Sequence, residues 1–163
     1  MKLAIISDIH DNLANLEKCL KWCNDNKVEK VICCGDVCNI ETIGFLSANF
    51  GREIFLVRGN TELYYDEELT DFANINFLGR TGIINIKGSA IGVCHEPFWI
   101  DQLVEEDKPV FIFCGHTHKP WIEDRHGVKI INPGTLGAVF QKATFAYWDV
   151  EKGDLELKLL ENI

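Results

Sequence analysis

The sequence lacks any uninterrupted apolar stretch of about 18 residues, which a membrane-spanning helix would require. Its first ten residues, MKLAIISDIH, contain one lysine and a short apolar run that Asp8 interrupts, so they do not resemble a secretory signal. We also find no internal repeat, low-complexity tract or linker. These absences argue against a membrane partner and against secretion.

Positive charge is scarce, with 16 lysines and arginines against 25 aspartates and glutamates and a net charge of -9. An acidic surface repels the phosphate backbone that a basic protein would bind, so long nucleic acids are not expected as partners. The seven cysteines are odd in number, and several lie in apolar runs where a thiol packs as a small hydrophobic group. We therefore expect a reducing cytoplasm.

The length and composition indicate an ordinary globular chain. A length of 163 residues favours one domain, which we expect to span residues 1–163. Apolar residues make up 47% and charged residues 25%, which excludes a largely disordered, collagen-like or disulfide-dense protein. A chain of this size buries roughly 70% of its extended surface, so one core suffices for stability.

The first third of the chain alternates between predicted strands and helices. Short apolar runs at Leu3–Ser7, Val31–Cys34 and Glu53–Val57 are typical of buried strands. Between them, apolar residues spaced three and four apart after Asn12 predict one helix, and a second helix is expected near Glu41–Ala48. This order predicts a parallel sheet covered by helices.

The remainder has a different pattern, with strand-like segments that are separated mainly by glycine-bearing turns. We expect a hairpin or meander in the middle, a short helix, and antiparallel strands towards the end. The predicted strands are Asn74–Leu78, Gly82–Lys87, Ala90–Cys94, Val110–Cys114, Val128–Ile131, Thr144–Val150 and Leu155–Leu160, and the helix is Trp99–Glu106.

Polar residues of a restricted type follow five of the apolar runs. They are Asp8-Ile9-His10, Gly35-Asp36, Gly59-Asn60, Cys94-His95 and Gly115-His116-Thr117-His118. In an open α/β sheet, loops at the carboxyl ends of strands gather around one crevice. The sequence therefore predicts that two aspartates, one asparagine and four histidines share a pocket.

A shared pocket of this kind requires a positive counter-charge, because confined carboxylates repel one another and buried lone pairs need partners. Mixed nitrogen and oxygen ligands suit manganese, iron, zinc, cobalt or nickel better than calcium or magnesium. Seven ligands are too many for one such ion. They suit two ions about 3.5 to 4 Å apart that share a bridging carboxylate.

The ordered blocks D-x-H, G-D, G-N, a histidine and G-H-x-H resemble the signature of the calcineurin-like metallophosphoesterases, and especially their small bacterial and archaeal phosphodiesterase branch. The segment from Asn132 to Thr135 is similar to the N-P-G-S turn of that branch. The resemblance implies an α/β fold, a four-layer α/β/β/α sandwich of two mixed β-sheets flanked by helices. It also implies two divalent transition-metal ions, with manganese as the first choice and iron, zinc, nickel or cobalt as alternatives.

The resemblance also implies a role for each residue of the signature. One metal ion would be held by Asp8, His10 and His118, the other by Asn60, His95 and His116, and Asp36 would bridge the two. Asp36, Asn60, His95 and His116 would form the catalytic set, and Asn12 and Asn60 would orient the phosphate. A metal-bridging hydroxide would then attack a small phosphodiester in line, with no covalent intermediate.

Two positions depart from the family pattern. Thr61 stands where many members have a histidine that donates a proton to the leaving group, so a general acid is missing. Glu96 stands where glycine is usual and would add negative charge near the site.

The sequence also admits other interpretations of its cysteines and of its function. Cys34, Cys94 and Cys114 precede candidate ligand turns and would suit a thiolate zinc site, although packing is the commoner role of a strand cysteine. A non-catalytic interaction scaffold, like the retromer subunit with this fold, and a phosphomonoesterase are the alternative functions. A homo-oligomer is compatible with the sequence.

Overall fold

The computed structural model describes residues 1–106 and 108–163, which form two β-sheets and three α-helices. The first sheet has the strand order β11-β10-β1-β2-β3-β4 and the second has the order β5-β6-β7-β9-β8. The strands are β1 (Lys2–Ile6), β2 (Lys30–Cys33), β3 (Ile54–Leu56), β4 (Ile75–Phe77), β5 (Thr81–Ile86), β6 (Ser89–Cys94), β7 (Phe111–Phe113), β8 (Trp121–Arg125), β9 (Val128–Asn132), β10 (Thr144–Asp149) and β11 (Asp154–Leu159). The helices are α1 (Leu13–Asp25), α2 (Ile40–Phe50) and α3 (Ile100–Glu106).

Both sheets are mixed. β1 to β4 pair in parallel, and β10 joins them antiparallel to β1. In the second sheet β6, β7 and β9 are parallel, and β5 and β8 are antiparallel to their neighbours. The parallel strands bring the carboxyl ends of β1, β2 and β3 to one edge of the first sheet and those of β6 and β7 to one edge of the second.

The alternation of side chains along the strands produces four layers. In β1, Leu3 and Ile5 are buried in the core between the sheets, whereas Ala4 and Ile6 are buried against the core that contains α1 and α2. A third core lies between α3 and the outer face of the second sheet. The α/β/β/α sandwich of two mixed sheets is therefore confirmed.

The expected hairpin in the middle of the chain is β5 and β6, but β4 is not part of it. β4 pairs in parallel with β3, with Ile54 opposite Ile75, and so extends the first sheet. The connection between β3 and β4 is long enough for a parallel crossover, and Ile75 and Phe77 pack against the helix-side core. Glycine spacing alone did not reveal this choice of sheet.

The helices of the described residues are short or polar on one face. None of them combines the length and apolar character that crossing a membrane would need. α1 begins after Asn12, whose side-chain oxygen accepts a hydrogen bond from the Asn15 amide at 3.1 Å. This cap fixes the start of the helix directly after the first candidate ligand loop.

Candidate metal centre

The candidate ligands lie on loops that follow β1, β2, β3, β6 and β7, and backbone hydrogen bonds join these loops to one another. The Asp8 amide donates to the Gly35 carbonyl at 3.0 Å, and the His10 amide donates to the Asp36 carbonyl at 3.0 Å. The Gly115 amide donates to the His95 carbonyl, also at 3.0 Å. The loops of each sheet are therefore held in fixed register.

Five of the seven candidate ligands have a left-handed backbone. The φ angles are 54° for Asp8, 46° for His10, 54° for Asp36, 70° for His116 and 59° for His118. Positive φ is uncommon for residues with a side chain and costs about 1 to 3 kcal/mol at each position. Such strain persists only where the surrounding structure enforces it, and it is concentrated at functional sites.

The first group of converging atoms contains Asp8, His10, Asp36 and His118. The Nε2 atoms of His10 and His118 lie 3.1 Å apart, and His118 Nε2 lies 3.2 Å from Asp8 Oδ1. His10 Nε2 is 3.9 Å from Asp8 Oδ1 and 3.8 Å from Asp36 Oδ2. One ligand atom from each of the four residues falls within a cluster 4.8 Å across, which is compact enough to surround one ion.

The second group is built around the side-chain oxygen of Asn60. This Oδ1 atom lies 2.9 Å from His95 Nε2 and 2.9 Å from His116 Nδ1. His95 Nε2 is also 3.3 Å from Asp36 Oδ2. Asp36 Oδ2 therefore contacts residues of both groups, while Asp36 Oδ1 accepts hydrogen bonds from the Asn60 and Thr61 amides at 2.8 and 3.0 Å.

These residues fit a pair of divalent ions by the chemistry of their atoms. Asp8 is fully buried, and its Oδ1 atom has no hydrogen-bond partner, which is costly for a carboxylate unless a cation neutralises it. The facing nitrogens of His10 and His118 bring two lone-pair positions to the same point. Nitrogen and oxygen atoms without thiolate suit first-row transition ions.

The two aspartates have opposite pKa shifts. Burial raises the pKa of Asp8 above its usual value, although Ser7 and the nearby histidines oppose the shift. Burial also acts to raise the pKa of Asp36, but the hydrogen bond and charge of His95 outweigh it and lower the pKa to about 2. Burial acts to lower the pKa of His95, and its contacts with Asp36 raise it instead.

The ring nitrogens on the far side of the histidines have hydrogen-bond partners that orient the rings. His95 Nδ1 lies 2.7 Å from the Cys34 carbonyl, and His118 Nδ1 lies 3.2 Å from the Val139 carbonyl. Such outer partners fix the ring orientation and leave the other nitrogen free to bind an ion.

Two glycines allow the loops to approach one another closely. A Cβ atom at Gly59 would lie 2.1 Å from Asp36 Oδ1, and one at Gly115 would lie 2.0 Å from Ser7 Oγ and 2.9 Å from Asp8 Oδ2. Neither clash involves the flexible end of a long side chain. Glycine is therefore required at both positions for the two aspartates to keep their places.

The remaining residues singled out from the sequence lie around the centre. The Asn12 side chain caps α1 and donates to the Gly137 carbonyl at 3.1 Å, so its contact with phosphate stays a prediction. Glu96 follows the buried His95, and its Oε2 atom is buried without a partner. Thr61 lies beside Asp36, as described above.

Two carboxylates that position the loops were missed in the sequence. Glu62 accepts hydrogen bonds from the amides of Val37, Cys38 and Gly59 at 3.3, 2.7 and 3.1 Å, and so joins the loops after β2 and β3. Asp11 accepts from the Asn39 amide at 3.0 Å and from the Thr42 hydroxyl at 2.6 Å, next to the start of α2. Asp11 directly follows His10 and Glu62 lies two residues after Asn60, and that proximity was the available signal.

The cysteines considered for a thiolate site are packed in the cores. Cys34, Cys94 and Cys114 are fully buried and free, and within the described part of the chain no cysteine belongs to a cluster able to hold an ion. Burial raises the pKa of Cys94 to about 12, which disfavours the thiolate form. The packing interpretation therefore accounts for these residues.

Comparison with known sequences gives relatives that cover most or nearly all of the chain. Phosphodiesterase MJ0936 of Methanocaldococcus jannaschii is 28% identical over 167 residues, which cover 99% of this chain and 100% of the relative. Probable metallophosphoesterase MJ0623 of the same organism is 28% identical over 145 residues, covering 83% of this chain and 68% of that protein.

Comparison with solved structures gives the same fold. A structure described as a novel archaeal phosphodiesterase has a TM-score of 0.86 at 26% identity and covers 98% of this chain and 99% of its own. Vps29 from Entamoeba histolytica, complexed with zinc, has a TM-score of 0.71 at 18% identity, with 97% of each chain covered. The second likeness is one of fold alone.

The family itself follows from the extent of the sequence match. Residues 1–153 match the model of the calcineurin-like phosphoesterase superfamily domain, which is nearly the whole chain of 163 residues. Together with the sandwich fold and the converging signature residues, this match identifies the chain as a member of the calcineurin-like phosphoesterase superfamily.

Proposed function

We propose that this phosphoesterase is a phosphodiesterase that hydrolyses a small phosphodiester at two divalent metal ions. Asp8, His10 and His118 would hold one ion and Asn60, His95 and His116 the other, with Asp36 shared. The similarity to an archaeal phosphodiesterase supports the choice of diester chemistry. The geometry of the two groups supports the choice of two ions.

The position of Asp36 is the single observation that carries the proposal. Its Oδ2 atom lies 3.8 Å from His10 Nε2 in the first group and 3.3 Å from His95 Nε2 in the second. Two backbone amides occupy the other oxygen, Oδ1, and so keep Oδ2 directed between the groups. A carboxylate oriented in this way is suited to bridge two cations.

Two divalent ions, when bound, lower the pKa of water towards about 7 and stabilise the charge on a phosphoryl group in the transition state. Asp8 and Asp36 contribute two negative charges against four positive ones, so the centre attracts an anion. The chain as a whole is acidic, with a net charge of -9, which disfavours long polyanions and favours a small substrate.

The residues at the mouth of the site determine how the substrate is held and protonated. The Asn60 side chain is exposed and sits between the imidazole rings of His95 and His116, where its amide can orient a phosphate oxygen. Thr61 supplies a hydroxyl instead of an imidazole, and a hydroxyl is a poor general acid at neutral pH. We therefore expect a preference for substrates with good leaving groups.

We further propose manganese as the working metal, with iron, zinc, nickel or cobalt as substitutes, because all seven ligands are nitrogen or oxygen donors. A cytoplasmic location fits the seven cysteines, all of which are free. These two points are independent of the choice of substrate.

The test is hydrolysis of bis(p-nitrophenyl) phosphate by the purified full chain after loading with each of the five metals. We expect wild-type activity and its loss in Asp36→Ala, whereas Asp154→Ala, which removes an exposed carboxylate from β11, keeps wild-type activity. Elemental analysis is expected to give two ions per wild-type chain. A wild type that is inert with all five metals would contradict the proposal.

Assays on the same purified protein distinguish the two alternative functions. A higher initial rate on p-nitrophenyl phosphate than on the diester would indicate a phosphomonoesterase. Folded wild-type protein that takes up no metal would instead favour the interaction scaffold.

A further inference from the structure

A short chain of hydrogen bonds runs from the outer side of the His10 ring, away from the converging atoms, to Thr61, which binds Asp36 through its backbone amide. Cys38 Sγ lies 3.6 Å from His10 Nδ1 and 3.2 Å from Thr61 Oγ1. The Thr61 amide in turn donates to Asp36 Oδ1 at 3.0 Å. The His10 ring is thus linked through a thiol to the side chain of the residue whose backbone amide binds Asp36.

The hydrogen-bond directions along this chain follow from the role of His10. If His10 Nε2 presents a lone pair to an ion, Nδ1 must carry the proton and donate it, and Cys38 Sγ is the hydrogen-bond partner that lies beside Nδ1. The thiol, protonated at neutral pH, then donates to Thr61 Oγ1. The imidazole and the thiol each donate once, and the two directions are mutually consistent.

The backbone of Cys38 is fixed on both sides, which holds the sulfur in place. Its amide donates to Glu62 Oε2 at 2.7 Å, and its carbonyl accepts from the Leu63 amide at 2.9 Å. Its φ angle is 83°, a left-handed value that a non-glycine residue rarely adopts. The position of the thiol is therefore set by the backbone of the loop.

His10 differs in this respect from two other histidines of the centre. The rings of His95 and His118 are oriented by backbone carbonyls, which no substitution removes. The ring of His10 depends on a side chain. The sulfur lies beside Nδ1, away from the Nε2 atom that faces the other ligands, so Cys38 acts on the ring rather than as a ligand.

We propose that Cys38 and Thr61 form a hydrogen-bonded bridge that positions the His10 ring for binding of one of the two metal ions. The bridge rests on the proposed function, because it has a purpose only if the centre binds metal. It also gives Thr61 a positioning role at the place where many family members carry a histidine.

The test is a calorimetric titration of the metal-stripped full chain with Mn²⁺. Loss of an outer partner of a metal ligand typically weakens metal binding 10- to 100-fold, so we expect about that loss for one of the two ions in Cys38→Ala, with the other ion unaffected. Cys38→Ser, which keeps a donor and an acceptor, should bind within a few-fold of wild type. Thr61→Val, close to threonine in shape, should weaken the same ion as Cys38→Ala.

Cys19→Ala is the matched control, because it removes a fully buried thiol from α1, away from the loops, and should leave both affinities unchanged. A second readout is the ¹⁵N NMR spectrum of the Zn²⁺-loaded protein. The His10 Nδ1–H resonance should be retained in Cys38→Ser and shifted in Cys38→Ala. Circular dichroism checks that each variant is folded. If Cys38→Ala is not folded, the result for Thr61→Val decides the test.

The bridge would be overturned if folded Cys38→Ala bound both ions with unchanged affinity, or if Thr61→Val did so where Cys38→Ala does not fold. Equal losses of affinity in Cys38→Ala and Cys38→Ser would also overturn it. Both results leave the metal centre itself intact. Wild-type protein that binds no ion would instead overturn the proposed function, and the bridge with it.

Discussion

The unpartnered oxygen of Asp8 leads to the prediction that a candidate ligand destabilises the protein when no metal is bound. Asp8 is fully buried, its Oδ1 atom has no hydrogen-bond partner, and burial raises the pKa of the carboxyl. In Asp8→Asn, an amide nitrogen at this place would lie 3.2 Å from His118 Nε2 and could donate to it. Asparagine also tolerates the left-handed φ of 54°.

The expected gain follows from the cost of an unsatisfied buried polar group, about 1 to 3 kcal/mol and more for a charge. Metal-free Asp8→Asn should therefore be more stable than metal-free wild type by about 1 to 3 kcal/mol at pH 7. For a domain of this size that corresponds to an increase in Tm of roughly 3 to 9 °C. The gain should shrink at low pH, because protonation of Asp8 removes the charge in the wild type.

Saturating Mn²⁺ should reverse the order of stability. A ligand that binds only the folded state adds about 2.7 kcal/mol at a concentration 100 times its Kd, and Asp8→Asn should bind the first ion too weakly to benefit. The assay is thermal unfolding by circular dichroism in chelator and in Mn²⁺, from pH 3 to 8. A metal-free Asp8→Asn protein that is less stable than wild type at pH 7 would refute the reasoning.

Asp36→Asn is the matched control. It makes the same substitution in the same centre but is expected to change the stability of the metal-free protein in the opposite direction. The pKa of Asp36 is lowered from 3.8 to about 2 by its contacts with His95 and Thr61. Its ionised form therefore stabilises the protein at neutral pH, by about 2 kcal/mol at roughly 1.4 kcal/mol per pKa unit. We expect Asp36→Asn to lower the Tm of the metal-free protein.

Three further predictions concern the loops and the acid range. Gly115→Ala should abolish Mn²⁺ binding in calorimetry, because its Cβ would lie 2.0 Å from Ser7 Oγ, whereas Gly44→Ala, whose Cβ would lie 3.5 Å from the Phe72 ring, should keep both ions. Glu62→Gln should reduce Mn²⁺ affinity about 10-fold, because a neutral amide accepts the three loop amides less strongly than a carboxylate; unchanged binding would contradict this. In chelator, the unfolding free energy of the wild type should fall more steeply than that of Asp36→Asn between about pH 4 and 2. The stabilisation by Asp36 is present above its usual pKa and is lost as the pH falls through its lowered pKa in the folded protein.

The fold was largely predictable because its local signals agree with its tertiary contacts. The apolar runs that became β1, β2 and β3 are buried on both faces, so they stand out as uninterrupted segments. β8, with the sequence WIEDR, was not predicted, because it lies at the edge of its sheet and carries three exposed residues. The sheet to which β4 belongs depends on packing that the turn residues do not encode.

The candidate site was predictable as a set of residues but not as a network. Polar residues at successive strand ends predict a shared pocket from topology alone. The hydrogen bonds that Glu62 accepts from two loops, and the bridge through Cys38, depend on how one loop crosses another. No periodic pattern in the sequence indicates such a crossing. The resemblance to the metallophosphoesterases is confirmed by the family match, whereas the role of each ligand stays a proposal.

The candidate ligands come from both halves of the sandwich, with Asp8, Asp36 and Asn60 on loops of the first sheet and His95 and His116 on loops of the second. Any cation that binds both sets acts as a cross-link across the seam between the sheets. An opening motion that separates the halves would have to release the ion, so occupancy should slow hydrogen exchange in the facing strands of both sheets together. A cation bound at this centre would therefore also hold the two sheets together, and the set of ligands is complete only after the two halves have assembled.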